Sequence, residues 1–227
     1  MLISVLCVSK RPSHVAQAIS NFRRQRWTDK EFVFVANSGD FDLDLLKESL
    51  RGVPNARFLS AEGNLGAGLN HAIESSSGRL WAKFDDDDEY GPRYLQEAAT
   101  AFGSRKAPLI GKRSYFMYLA EINATILRGP GNENKRTKLV SGATLVGDRE
   151  VLAKYPFDEE ARRGVDTMLI NSLLADGVRP WSTSRYGFMA TRRADRSTHT
   201  WNVDLETLTR RAELVGTGKR LRLTGCR

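Results

Sequence analysis

Cysteine is scarce in this chain: Cys7 and Cys226 are the two among 227 residues. That number excludes a disulfide framework and a thiolate metal site, and it fits a reducing cytoplasm. Long hydrophobic runs are missing as well. Met1 to Val8 is apolar, but Lys10 and Arg11 end it far short of a membrane span or a signal-peptide layout. It reads as a buried first strand, and no export is expected. No repeat or low-complexity run interrupts a sequence that is 41 % hydrophobic, enough for one large domain or two small ones. Acid is in deficit, with 27 Asp and Glu against 35 Lys and Arg and a net charge of +8. Such an excess points to phosphorylated ligands, an anionic membrane surface or nucleic acid. The basic stripe with interleaved aromatics that nucleic acid would call for is absent, so nucleic acid is not expected as a partner.

What acid there is, is concentrated. Asp85-Asp86-Asp87-Asp88-Glu89 follows Trp81-Ala82-Lys83-Phe84 and precedes Tyr90-Gly91-Pro92. Adjacent carboxylates repel, and any that is buried loses hydration, so a cation or hydrogen-bond donors are needed to offset the run. A hard divalent metal is the simplest such cation.

Periodicity places this run in a fold. Ile3 to Val8, Phe32 to Val35, Ala56 to Leu59 and Leu80 to Phe84 have the composition of strands. Val15, Ala18, Ile19 and Phe22 recur at helical spacing, as do Leu65, Leu69, Ala72 and Ile73. Strands alternating with helices imply βαβ units and a mainly parallel sheet, whose ligands bind beyond the carboxyl ends of the strands. The polar clusters after the first, second and fourth strands fall at that edge. Further on, Leu109 to Leu127 holds short strand-like runs, Gly129 to Lys138 reads as a loop, Thr144 to Val146 as a strand and Val165 to Leu174 as a helix. Leu205, Leu208, Ala212 and Val215 give a last helical stripe. The expected organisation is a nucleotide-sugar-binding half (1–105), an acceptor-binding and catalytic half (106–203) and a C-terminal basic helix and tail (204–227), the two halves sharing one continuous sheet.

The segments Ser4 to Pro12, Asn64-Leu65-Gly66-Ala67-Gly68-Leu69-Asn70, the acidic run with Pro92, and Gly164-Val165-Asp166 together resemble family 2 glycosyltransferases of the GT-A fold. That resemblance implies an α/β, Rossmann-like and mainly parallel sheet flanked by helices, with a smaller mixed acceptor-side region. It also implies a metal-dependent, inverting transfer from a nucleoside-diphosphate sugar to a hydroxyl acceptor: a saccharide, a lipid-linked group or a protein. By the same likeness Asp85 and Asp87 form the Asp-x-Asp signature. Asp87 would bind Mn2+ or Mg2+, and Asp85 the ribose or a metal-bound water. Asp86 is grouped with the nucleotide-sugar site, with solvation or capping of the helix near Pro92 left open for it and for Asp88. Val8 and Ser9 would border base and ribose, while Asn64, Gly66 and Asn70 would line the nucleotide pocket. Asn37 stands where the family usually has Asp, and it keeps the ability to bond an imide edge, which leaves a uracil nucleotide expected. Asp166 matches the general base, although Val165 replaces the usual acidic neighbour. His199 would be a further metal ligand. Peripheral contact with the inner face of a membrane through the basic C-terminal helix is open beside the plainer reading of a face packed on its own domain. The rivals are a sugar-phosphate nucleotidyltransferase, whose glycine-rich loop after strand one is not found in Ser9-Lys10-Arg11-Pro12-Ser13, and a nucleotide-binding family member without catalysis.

Overall fold

In the computed structural model, which describes residues 1–105, 107–195 and 203–219, the four apolar runs become the parallel part of a sheet. β1 (Ile3–Ser9), β2 (Lys30–Ala36), β3 (Ala56–Ser60) and β4 (Leu80–Lys83) lie in the order β3-β2-β1-β4. Side chains alternate across a strand, so each run supplies both faces. Val5, Cys7, Phe32 and Phe34 pack against Val15, Ala18, Ile19 and Phe22 of α1 (Val15–Arg23), with Phe22 stacked 5.0 Å from Phe32. Leu6, Val33 and Val35 pack on the other face, against Leu69, Ala72 and Ile73 of α3 (Leu65–Glu74) and Leu169, Ile170 and Leu173 of α6 (Val165–Ala175). Each Val, Leu, Ile or Phe side chain fully buried in this way contributes roughly 1.5–3 kcal/mol, which is why these strands read as continuous hydrophobic runs.

Two helices have no counterpart among the expected elements, α2 (Leu43–Leu50) and α5 (Arg149–Lys154). α2 begins at Asp42, whose side chain accepts from the amides of Asp44 and Leu45. Leu46 and Leu50 are buried, but Leu43 and Leu45 are 46 % and 65 % exposed, and they blur the stripe.

Beyond β4 come β5 (Glu89–Tyr90), α4 (Tyr94–Arg105), β6 (Leu109–Gly111), β7 (Tyr115–Leu119), β8 (Ala124–Arg128), β9 (Lys135–Arg136) and β10 (Val146–Asp148). α5 (Arg149–Lys154), α6, β11 (Trp181–Ser182), β12 (Phe188–Arg192), α7 (Leu205–Thr209) and β13 (Glu213–Thr217) complete the order. Among the described residues these strands form two sheets, not the single continuous sheet expected. β10, β6, β11 and β9 extend the parallel sheet beyond β4, and β13-β8-β7-β12-β5 form a second, mixed one. The chain leaves the first sheet after β6, where backbone donors turn to side chains: Lys112 N bonds Thr144 Oγ1 at 2.8 Å and Arg113 N bonds Ser182 Oγ at 3.0 Å. The Gly129 to Lys138 stretch, read as a loop, contains β9. The last helical stripe also divides. α7 stops at Thr209, Arg211 adopts φ 59°, and Leu214 and Val215 lie in β13, antiparallel to β8. A continuous basic helix from Arg210 is therefore not what the described residues form. Among them, no helix is long and apolar enough to cross a membrane.

Candidate active site

Because β1, β2 and β4 are parallel, their carboxyl ends deliver Ser9, Asn37 and the acidic run to one edge. Phe84 and Tyr90 bracket that run and stack with ring centroids 3.7 Å apart. The Tyr90 hydroxyl accepts from Asp85 N at 2.8 Å and donates to Ala143 O at 2.6 Å, fixing the loop to the turn Gly142–Thr144.

Each acid then finds a different partner. Asp86, with its side chain 5 % exposed, accepts from Ser9 Oγ and from the Arg11 guanidinium, including a bond of 3.1 Å from Arg11 Nε. Asp88 accepts from Thr191 N at 2.9 Å, and its carbonyl accepts from Asn21 Nδ2 at 2.8 Å. Both acids are buried side chains tied across the fold, which corrects the solvated or helix-capping alternative. Asp87 Oδ2 takes Arg193 Nη1 at 2.7 Å and Arg11 Nη1 at 3.1 Å. Asp85 Oδ1 lies 2.5 Å from Lys83 Nζ. That buried ammonium also lies 3.5 Å from Asp166 Oδ2 and donates to Gly142 O at 3.3 Å.

These pairings separate the acids electrically. Burial pushes Asp85 up, with Lys83 opposing and Asp166 adding to the rise. Burial raises Asp88 well above the usual range, and Asp87 and Asp85 add to it. Asp87 behaves oppositely, for Arg11 and Arg193 outweigh burial and hold its carboxyl below the ordinary range. Burial alone would lower Lys83, but Asp166 and then Asp85 reverse the direction and keep it charged. Asp87 is thus an ionised hard-oxygen donor whose side chain is 18 % exposed. Among the described residues no group of three or more His, Cys, Asp or Glu side chains is arranged to hold a metal. Asp87, whose Oδ2 is held by Arg11 and Arg193, is the carboxylate that could serve a divalent ion here, one that would have to draw its other oxygens from a diphosphate and water.

On the nucleotide side, Asn37 is 4 % exposed and its amide NH2 faces the carbonyls of Gly63 and Asn64, each at 3.4 Å. Its Oδ1 is buried with no hydrogen-bond partner among the described residues. Asp40, the first acidic residue after Asn37, is exposed in the turn beyond. The 64–70 segment is occupied within the chain. Asn64 accepts from Ala67 N and donates to the carbonyls of Asp158 and Ala161, and Asn70 bonds Phe157 N, Phe157 O and Glu159. A Cβ at Gly66 would meet Asp158 O at 2.2 Å, and one at Gly68 would meet Val8 Cγ1 at 2.7 Å. The close approaches at both glycines are therefore to the chain itself. Asp166 sits in the first turn of α6, after Gly164 with φ 78°. His199 lies outside the described residues. Arg193 belongs to an Arg-Arg pair after an apolar strand, which in sequence looks like ordinary surface, and Lys83, which in sequence could either help neutralise phosphate or stay solvated, is buried.

A Rossmann-like half, an acidic loop after the fourth strand and a carboxylate from a later helix at the same edge define a glycosyltransferase domain of the GT-A class. The glycosyl transferase family 2 profile matches residues 5–152, and the chain belongs to that family. Solved structures agree in fold. S. aureus TarS 1-349 in complex with UDP-GlcNAc is 18 % identical with a TM-score of 0.67, covering 92 % of this chain and 64 % of its own. The mannosyltransferase PcManGT from Pyrobaculum calidifontis, in complex with GDP-Man and Mn2+, is 16 % identical with a TM-score of 0.65, covering 88 % and 59 %. The chain thus spans about six-tenths of the length of these structures. No curated protein sequence matches it.

Proposed function

We propose that the protein transfers a sugar from a nucleoside-diphosphate donor to a hydroxyl acceptor with inversion at the anomeric carbon. The observation that carries this reading is the meeting of Asp166 with the acidic loop through Lys83, whose Nζ lies 2.5 Å from Asp85 and 3.5 Å from Asp166. A carboxylate beside a donor site is what an inverting transfer needs in a general base. Asp166 takes the proton of the acceptor hydroxyl as its oxygen bonds the anomeric carbon, and the bond from that carbon to the diphosphate breaks on the opposite side. Mn2+ or Mg2+ held at Asp87, with His199 as a candidate second ligand, would neutralise charge on the departing diphosphate. Arg11 and Arg193 supply further positive charge at the same carboxylate. Ser9 and Asp86 border the ribose, and Asn37 Oδ1, which has no partner among the described residues, suits the imide N–H of uracil. The acceptor belongs to the saccharide, lipid-linked or protein hydroxyls, and the work is done at the cytoplasmic side of the cell.

Donor turnover tests the reading. UDP- and GDP-sugars are incubated with Mn2+ and the full chain, and nucleoside diphosphate release is measured with water as the default acceptor. Release from a UDP-sugar that chelator abolishes is the expected result, and no release from any donor would sink the catalytic assignment.

A further inference from the structure

Lys83 occupies a core position of β4, between Ala82 and Phe84, and is 1 % exposed. An ammonium there is held at the cost of desolvation, and an apolar side chain of similar volume would usually serve stability as well or better. Its three contacts reach different parts of the site: Asp85 on the acidic loop, Gly142 O on the turn beneath it, and Asp166 on α6. Asp166 depends on this corner. Its Oδ1 has no hydrogen-bond partner among the described residues, and its Oδ2 faces Lys83. The carboxylate also lies flush on the turn, since a Cβ at Gly142 would stand 2.2 Å from Asp166 Oδ2.

We infer that Lys83 is a positioning residue for the reaction: it ties the base Asp166 to the donor-side Asp85, with Gly142 as the floor that leaves room for the carboxylate. The inference rests on the reading of Asp166 as the base. It assigns Lys83 to orienting that base and not to binding phosphate.

Turnover at saturating donor, read as nucleoside diphosphate release, and binding of UDP or GDP with Mn2+ test it in full-length variants. Lys83→Met is expected to lower turnover about a hundredfold, the scale of a reacting group displaced by about 1 Å. Gly142→Ala leaves Lys83 and its bond to Asp85 intact but pushes Asp166 aside, so it is expected to cost about tenfold or more in turnover with diphosphate binding unchanged. In an Asp166→Asn background, Lys83→Met is expected to change the residual rate by less than about threefold, because both act through one group. Wild-type turnover in Gly142→Ala, or losses from Lys83→Met and Asp166→Asn that multiply, would overturn the inference. Should Lys83→Met fail to fold, Lys83→Gln takes its place, with lowered turnover at unchanged diphosphate binding expected, and wild-type turnover in either Lys83→Gln or Gly142→Ala would overturn the inference. Asp166→Asn at wild-type turnover would overturn the base reading and this inference together, whereas an inactive Asp166→Asn beside an unaffected Gly142→Ala would overturn the inference only.

Discussion

The two ends of the parallel sheet both bury carboxylates, and they treat them in opposite ways. At the amino end Glu31 is saturated: it accepts from Ser4 Oγ at 2.6 Å, from the amides of Ser77 and Gly78, and pairs with Arg57 at 2.9 Å. Those donors outweigh burial and hold its carboxyl below the ordinary range. At the carboxyl end four aspartates share a few cations, and burial drives Asp85 and Asp88 up while the arginines drive Asp87 down. A carboxylate that only joins strands is fully bonded by local donors. A cluster whose members are split in charge, beside an Asp166 Oδ1 with no partner among the described residues, has the pattern of a functional site.

The contrast breaks most visibly in the base. Asp166→Asn should lower turnover about a thousandfold, within the range for loss of a general base, with little change in melting temperature; retained turnover would make Asp166 a helix-end carboxylate. Glu31→Gln should do the reverse, losing about 3 kcal/mol of stability near neutral pH without loss of turnover in the folded enzyme. Because Glu31 is held below its usual range, its contribution is present above the unfolded pKa and fades as pH falls through the folded one. The stability gap between wild type and Glu31→Gln should therefore close on acidification in denaturant titrations, and a gap constant with pH would contradict the pairing. Asn70→Ala should cost about 2 kcal/mol by stranding Phe157 N–H and C=O and leave nucleotide affinity intact, whereas weakened UDP binding would return Asn70 to the nucleotide pocket. Arg193→Ala should raise the donor KM about tenfold, the worth of one charged hydrogen bond. An unchanged KM would confine Arg193 to the loop.

The parts of this legible in the sequence are the parts written locally. Phe32 to Val35 and the stripe Val15, Ala18, Ile19 and Phe22 announce strand and helix because one element's burial fixes its period. The acidic run was visible as an uncompensated charge, and its place at the strand edge followed from strand direction. Its compensation was not visible, because Arg193 reaches Asp87 across 106 residues and Thr191 N reaches Asp88 across 103. Asn64 and Asn70 carry the same composition whether they face a nucleotide or the 157–161 segment, and only the packing of Asp158 against Gly66 distinguishes the two. The second sheet was unread for a similar reason: β7, β12 and β13 are short, and their partners are remote in sequence.

In the proposed function, the carboxyl edge holds a nucleoside diphosphate through a metal at Asp87. Thermal unfolding of wild type and Asp87→Ala with UDP or GDP, with and without Mn2+, tests it most directly. Wild type is expected to show a rise in Tm only when nucleotide and metal are present together, and Asp87→Ala to show none. Equal stabilisation of both proteins, or stabilisation by nucleotide without metal, would contradict it.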